Sequence, residues 1–243
     1  MRISRLYVAE ELNSGVNLEL DEASAHYVRS VLRLSKGSKL ILFNGNGIDY
    51  STVLSLVSRK SVCAQIQDGH ARNCESPLKI SLALGISRGE RMDLAIQKSV
   101  ELGVNQIIPL ITERCVVKFS SEDRSEQKRL HWQKIAQHAC EQSGRSTLPS
   151  LVQPQSISDW LSDSTGFKLF LDPDAETSLK QLTPDDPQIC ILSGPEGGFS
   201  PAERELAVQA GFSAVRMGPR ILRTETAALT AVGVVQALWG DLV

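Results

Sequence analysis

Two glycine-rich connectors near the end of the chain constrain the fold more than any other feature. They are SGPEGGFSPAE at residues 193–203 and MGPRILRTETAAL at residues 217–229, and each joins a short apolar run to a helical pattern. The apolar run at residues 189–192 reads as a buried strand, followed by Gly194, Gly197 and Gly198 around Pro195 and Glu196. Glycines in such a turn let the backbone take positive φ and approach a ligand closely. Ser200, Pro201 and Glu203 then spell a helix start: a serine N-cap, proline at the first helical position and a glutamate that closes a capping box. The second connector follows a shorter strand at residues 214–216. It runs through Gly218 and Pro219 to Thr224, whose hydroxyl is expected to cap a helix reaching Trp239. Arg220 and Arg223 stand beside Glu225 here, more charge than a plain connection requires. Neither connector is a Walker A loop or a dinucleotide fingerprint.

From Leu78 onward, strands alternate with helices. Strands are expected at residues 79–84, 106–111 and 167–171. One helix at 90–102 places Met92, Ile96 and Val100 on one face and stops at Gly103; a longer one at 125–143 stops at Gly144. This alternation predicts an α/β domain with a parallel sheet and ligands at the carboxyl ends of its strands, the edge where both connectors fall. Residues 1–72 read differently, as short strands at 39–43, 49–57 and 62–66, with Asn44-Gly45-Asn46-Gly47 as a hairpin signal and a helical turn around 22–33. Residues 69–77 are the expected linker, so the domains are 1–72, a small barrel-like β unit, and 73–243. The last helix is apolar nearly all round, which requires burial on more than one side, in the core or against another subunit.

A net charge of −2 and a pI near 6.1 argue against indiscriminate nucleic-acid binding. The first 72 residues carry nine Lys/Arg against seven Asp/Glu and the remainder seventeen against twenty-one, a mild asymmetry that does not by itself imply RNA binding. The five cysteines are widely spread with no C-x-x-C pair, so reduced, buried thiols and no metal site are expected. No run approaches a membrane span and the start MRISRLYVAEEL lacks the apolar core of a secretory signal, so a cytoplasmic location is expected.

The two connectors, together with GERMDLAIQKSVE at residues 89–101, TERCVVK at 112–118, WQKIAQHACEQSGR at 132–145 and HYVRSVLRL at 26–34, resemble the RsmE family of bacterial small-subunit rRNA methyltransferases, within the SPOUT class. The resemblance covers nearly the whole chain. It implies a parallel sheet with a C-terminal trefoil knot, an N-terminal PUA-like β-barrel, a homodimer, and methylation of uridine N3 in 16S rRNA of the small subunit by S-adenosylmethionine. It places the donor among Leu171, Gly194, Glu196, Gly197, Met217, Gly218, Ile221, Leu222, Arg223, Thr226 and Ala227. For the reaction, Arg223 and then Arg220 are the candidates for stabilising charge on a uracil oxygen, and Glu196 or solvent for taking the proton. Arg2, Arg5, Arg29, Arg33 and Lys36, with Arg88 and Arg91, are the candidate RNA contacts; Arg29 and Arg33, four apart, are expected on one helical face. Two other readings stay open: a ribosome-binding factor that keeps the fold without turnover, and a phosphate site at the helix N-termini.

Overall fold

The computed structural model describes residues 3–117 and 121–242. The chain forms two compact units, Met1–Glu75 with Gln137–Leu148, and Ser76–Ala136 with Pro149–Val243.

The first unit is a five-stranded mixed sheet. Its strands are β1 (Arg5–Tyr7), β2 (Asn17–Glu19), β3 (Lys39–Phe43), β4 (Ile48–Val57) and β5 (Val62–Ala71), in the order β1-β3-β4-β5-β2. β1 runs parallel to β3 and the other neighbours are antiparallel. The Asn44–Gly47 signal does make the β3–β4 turn: both glycines hold positive φ, and the Asn46 amide oxygen accepts from the Ile48 N–H at 3.0 Å. Two register shifts along β4 and β5 bend the sheet around a core of Leu6, Val28, Leu40, Leu42, Leu54 and Ile66.

Three expectations change here. β5 continues to Ala71, into the stretch expected as linker, because its polar end still pairs with Ile48, Asp49 and Tyr50. The expected helical turn over 22–33 is α1 (Glu22–His26), capped by Asp21, then a π-helical turn at Tyr27–Val31. Gln137–Leu148, expected in the second domain, belongs to this unit. The reason is a buried ionic cluster in which Arg5 pairs with Asp49 and donates to the Arg145 carbonyl at 3.1 Å and the Ser146 hydroxyl at 2.9 Å. Arg145 donates in turn to Glu75 at 3.0 Å.

The second unit contains β6 (Lys79–Gly85), α2 (Glu90–Glu101), β7 (Gln106–Ile111), the first turns of α3 (Glu122–Ser143), β8 (Ser150–Leu151), β9 (Gln155–Ser156), α4 (Ile157–Asp163), β10 (Phe167–Leu171), β11 (Gln188–Ser193), α5 (Pro201–Gln209), β12 (Ser213–Val215) and α6 (Thr224–Trp239). The sheet order is β12-β10-β11-β6-β7-β8, with β9 also on β7, and every pairing is parallel. α2 buries Met92, Ala95, Ile96, Ser99 and Val100, the face read from its periodicity. α6 packs on α2, β6 and β11 and buries Ala228, Ala231, Val232, Val235 and Gln236. Each buried valine there contributes roughly 1.5–3 kcal/mol. The fully buried Gln236 amide is satisfied at both ends: it donates to the Leu102 carbonyl at 2.9 Å and accepts from the Ser76 hydroxyl at 2.7 Å.

Candidate functional site

β10, β11 and β12 lie together in the sheet, and the chain leaves all three at their carboxyl ends. The three connections that follow line one cavity of about 380 Å³. Its floor is Leu171, Asp172 and Pro173 after β10, with Val215 at the end of β12. One wall is Ser193, Gly194, Pro195, Glu196 and Gly198; the other is Arg216, Met217, Gly218, Arg220, Ile221, Leu222 and Arg223. Thr224 and Ala227 of α6 close the far side, and Arg91 of α2 reaches the rim.

The first wall is a rigid turn. The Gly198 N–H donates to the Pro195 carbonyl at 2.9 Å, and Gly198 holds φ +65, a conformation that side chains rarely adopt. A Cβ at Gly85, the last residue of β6, would sit 2.4 Å from Pro195, so glycine there lets the turn lie directly on the strand end. The helix start after the turn forms as read. The Ser200 hydroxyl accepts from the Glu203 N–H at 3.3 Å, the Glu203 carboxylate accepts from the Ser200 N–H at 2.8 Å, and its other oxygen accepts from the Glu113 N–H at 2.8 Å.

Glu196 anchors the turn to the start of α2. Its carboxylate accepts from the Arg88 N–H at 3.1 Å and from Arg91 at 3.3 Å. Burial works to raise its pKa, but the Arg88 hydrogen bond, a backbone contact of its own and the Arg91 charge together bring it below the ordinary value. A carboxylate held this way is a weak proton acceptor near neutral pH. Asp172, which unlike Glu196 is buried, accepts from Arg204 at 3.0 Å and from the Asp174 N–H at 3.0 Å, so it presents an already balanced charge to the cavity.

The second wall is tied at its two ends, where the Arg216 N–H donates to the Thr177 carbonyl and the Arg223 carbonyl accepts from the Ala227 N–H, both at 2.8 Å, and its arginine side chains are open. Among the described residues neither Arg220 nor Arg223 forms an ion pair, and both are exposed at the cavity lip. Neither pairs with Glu196 or Glu225: the former is engaged by Arg91, and Glu225 is buried with one carboxylate oxygen lacking a hydrogen-bond partner. Ile221 is 90% exposed between them.

Most residues nominated for the donor line this cavity: Leu171, Gly194, Glu196, Met217, Gly218, Ile221, Leu222, Arg223 and Ala227. Two do not. Gly197 faces away, its carbonyl accepting from Arg114 at 3.1 Å and its missing side chain making room for the Arg114 stem. Thr226 is exposed on α6 outside the cavity. Thr224 is the first helical residue and not the cap; Arg223 occupies the cap position with extended backbone and no side-chain cap. Sequence reasoning missed Asp172, Pro173 and Ser193; the available signal was the strand expected at residues 167–171, whose last residue, Leu171, was nominated without the residues that follow it.

The candidate RNA contacts separate. Lys36, Arg33 and Arg88 are exposed, as is Arg91, which is shared with Glu196. Arg5 is buried in the ionic cluster and unavailable to phosphate. Arg29 donates to the carbonyls of Ser58 at 3.0 Å and Arg59 at 3.3 Å, closing the β4–β5 hairpin. It shares no helical face with Arg33, which lies beyond the π-helical turn at φ +53. Arg2 lies outside the described residues. Burial pushes the Cys140 and Cys190 thiols up to about 12, outweighing Arg145 and Lys168 respectively, so neither serves as a nucleophile. Cys115 is buried too, whereas Cys74 is exposed, against the expectation of buried thiols. No group of His, Cys, Asp and Glu that could hold a metal ion occurs among the described residues.

Comparison with known proteins agrees with this geometry. The RNA methyltransferase domain family matches residues 74–236, and the RNA methyltransferase PUA domain family matches residues 20–67. The chain is 37% identical over 249 residues to ribosomal RNA small subunit methyltransferase E of Buchnera aphidicola, covering 99% of this chain and 98% of the relative. Among solved structures, a methyltransferase from Legionella pneumophila in complex with SAM is similar with TM-score 0.96 and 42% identity over the whole of both chains. Ribosomal RNA small subunit methyltransferase E from Neisseria gonorrhoeae, bound to S-adenosylmethionine, follows with TM-score 0.92 and 37% identity, again over the whole of both chains. With both of its parts matched in order and relatives aligned along its full length, the chain belongs to the ribosomal RNA small subunit methyltransferase E family.

Proposed function

We propose that this protein transfers the methyl group of S-adenosylmethionine to N3 of one uridine in 16S rRNA of the small ribosomal subunit. The observation that carries the reading is the cavity at three strand ends, lined by both glycine connectors and by Arg216, Arg220 and Arg223, none of which forms an ion pair among the described residues. The donor carries an adenine, a sulfonium cation and a zwitterionic tail. Backbone groups of the 194–198 and 216–223 connections serve the adenine edge, Leu171, Met217 and Leu222 give apolar wall, and the carboxylates of Asp172 and Glu196 stand in the same lining as the arginines.

Uracil N3 must lose its proton for its lone pair to form the new N–C bond while the methyl carbon–sulfur bond breaks and the sulfur leaves as a neutral thioether. Negative charge develops on the uracil oxygens as the proton departs. We assign its stabilisation to Arg223 first and Arg220 second, both of which line the cavity. Glu196 is assigned to holding the turn and not to taking the proton, which passes to solvent. Orientation of N3 against the methyl group supplies much of the remaining rate.

RNA docking is assigned to Arg33 and Lys36 in the PUA unit and Arg88 in the catalytic unit, with Arg91 divided between RNA and Glu196. We further propose a C-terminal knot and a homodimer. The supporting features are the β12-β10-β11-β6 strand order, in which the last strands insert beside earlier ones, and the apolar surface of α6. No helix among the described residues is long and apolar enough to cross a membrane, in keeping with a cytoplasmic site of action.

Nucleoside mass analysis of small-subunit rRNA from cells with and without the protein tests the reaction. Loss of one 3-methyluridine, restored by the intact gene and not by Arg223→Ala, is expected. Unchanged methylation would leave the alternative of a non-catalytic ribosome-binding factor.

A further inference from the structure

A second cavity, of about 490 Å³, belongs wholly to the first unit and shares no residue with the donor cavity. Ile3 borders it at the entry to β1, Tyr27 and Leu32 come from the π-helical turn and the residue after it, and His138, Glu141 and Gln142 come from one face of the last turns of α3. The rings of Tyr27 and His138 lie 6.1 Å apart, tilted by 41°. Glu141 is held in place: one carboxylate oxygen accepts from the Tyr7 N–H at 2.9 Å and the other lies 2.9 Å from Nδ1 of His138, and its side chain is only 9% exposed. Burial and then the Glu141 charge raise the Tyr27 pKa, so its phenol stays a neutral donor.

These groups choose between ligand chemistries. A phosphate is a poor occupant, because the fixed charge facing the cavity is a carboxylate and Arg5 gives both terminal nitrogens to Asp49, the Arg145 carbonyl and Ser146, leaving only its buried Nε–H without a partner among the described residues. A flat ring with N–H donors on its edge is a good one: each carboxylate oxygen keeps a second lone pair, while aromatic and apolar side chains receive the ring faces. We propose that this cavity receives one unpaired nucleobase of the RNA substrate, a donor-edged base, with guanine the best match because its N1–H and N2–H lie side by side as a carboxylate requires. Uracil, with a single N–H, is a poor match, so the pocket reads a base other than the methyl acceptor. The inference rests on the RNA-methylation reading above.

The test uses the full chain and steady-state methylation of small-subunit rRNA. Tyr27→Ala raises the KM for RNA about tenfold, the range of a lost base–aromatic stack, with kcat and donor affinity unchanged. Tyr27→Phe restores the KM. Guanosine, and not uridine, competes with the RNA, and Glu141→Gln abolishes that preference. A wild-type KM in a Tyr27→Ala protein that still binds donor normally, or equal competition by the two nucleosides, overturns the proposal. Should Tyr27→Ala not fold, the nucleoside competition against wild type and Glu141→Gln decides alone. A wild-type protein that binds the RNA but transfers no methyl group breaks the reaction reading instead, and guanosine displacement of bound RNA still tests the pocket.

Discussion

The connections after β11 and β12 border the same cavity and are held in opposite ways. The 194–198 turn is tied down at Glu196 by Arg88 and Arg91, at Gly197 by Arg114, and beneath Pro195 by the glycine end of β6. The 216–223 connection has its arginines and Ile221 exposed, without ion pairs. Binding a cofactor favours a frame that needs no reordering. Receiving an RNA base favours charged groups that remain available until it arrives. On the function proposed above, both connections hold the donor, the first as a preset frame and the second as the side that also meets the RNA base.

That division ranks the expected effects. Replacing Arg223 by alanine should cut kcat by about 10²- to 10³-fold, the size of losing one charge-stabilising donor, while calorimetric donor affinity stays near wild type. Equal loss of both would erase the contrast. Next comes Gly85→Ala, whose Cβ meets Pro195 and forces the rigid turn off the strand at a cost of about 1–3 kcal/mol. Donor affinity is expected to fall roughly tenfold, and less in Gly218→Ala, which carries the backbone strain of a side chain at φ +116 but no clash, since a Cβ meets nothing within 4 Å.

Smaller still is Glu196→Gln. Its partly exposed pair with Arg91 is worth about 1 kcal/mol or less, so donor affinity drops a few-fold. Because the folded pKa of Glu196 is depressed, its contribution to stability is present above the ordinary carboxylate range and is lost as pH falls through the lowered value. Denaturant melts should therefore show wild type and variant converging in acid, with no inflection from this group near neutral pH. Thr226→Ala, outside the cavity, should leave donor affinity unchanged; a clear loss there would redraw the cavity.

Much of this arrangement was legible in the chain because it is local. The capping box at Ser200 and Glu203, the apolar face of α2 and the hairpin at Asn44–Gly47 depend on residues a few positions apart, and all three form. What escaped depends on distance along the chain. Arg5 read as a surface cation because its partner Asp49 lies 44 residues away and Ser146 lies 141 away. Arg29 read as half of a helical pair because nothing nearby announces a π-helical turn or the hairpin carbonyls it meets. β8 and β9, two residues each, carry no periodicity, and Asp172 joined the site only once β10 was seen between β11 and β12.

The central claim is that one donor molecule is clasped by both connections. A crystal structure of this protein with S-adenosylmethionine tests it most directly. The account predicts donor density in the 380 Å³ cavity, touching the 194–198 turn and the 216–223 segment at once, with the methyl group turned toward Arg223. Density elsewhere, or contact with one connection alone, would contradict it.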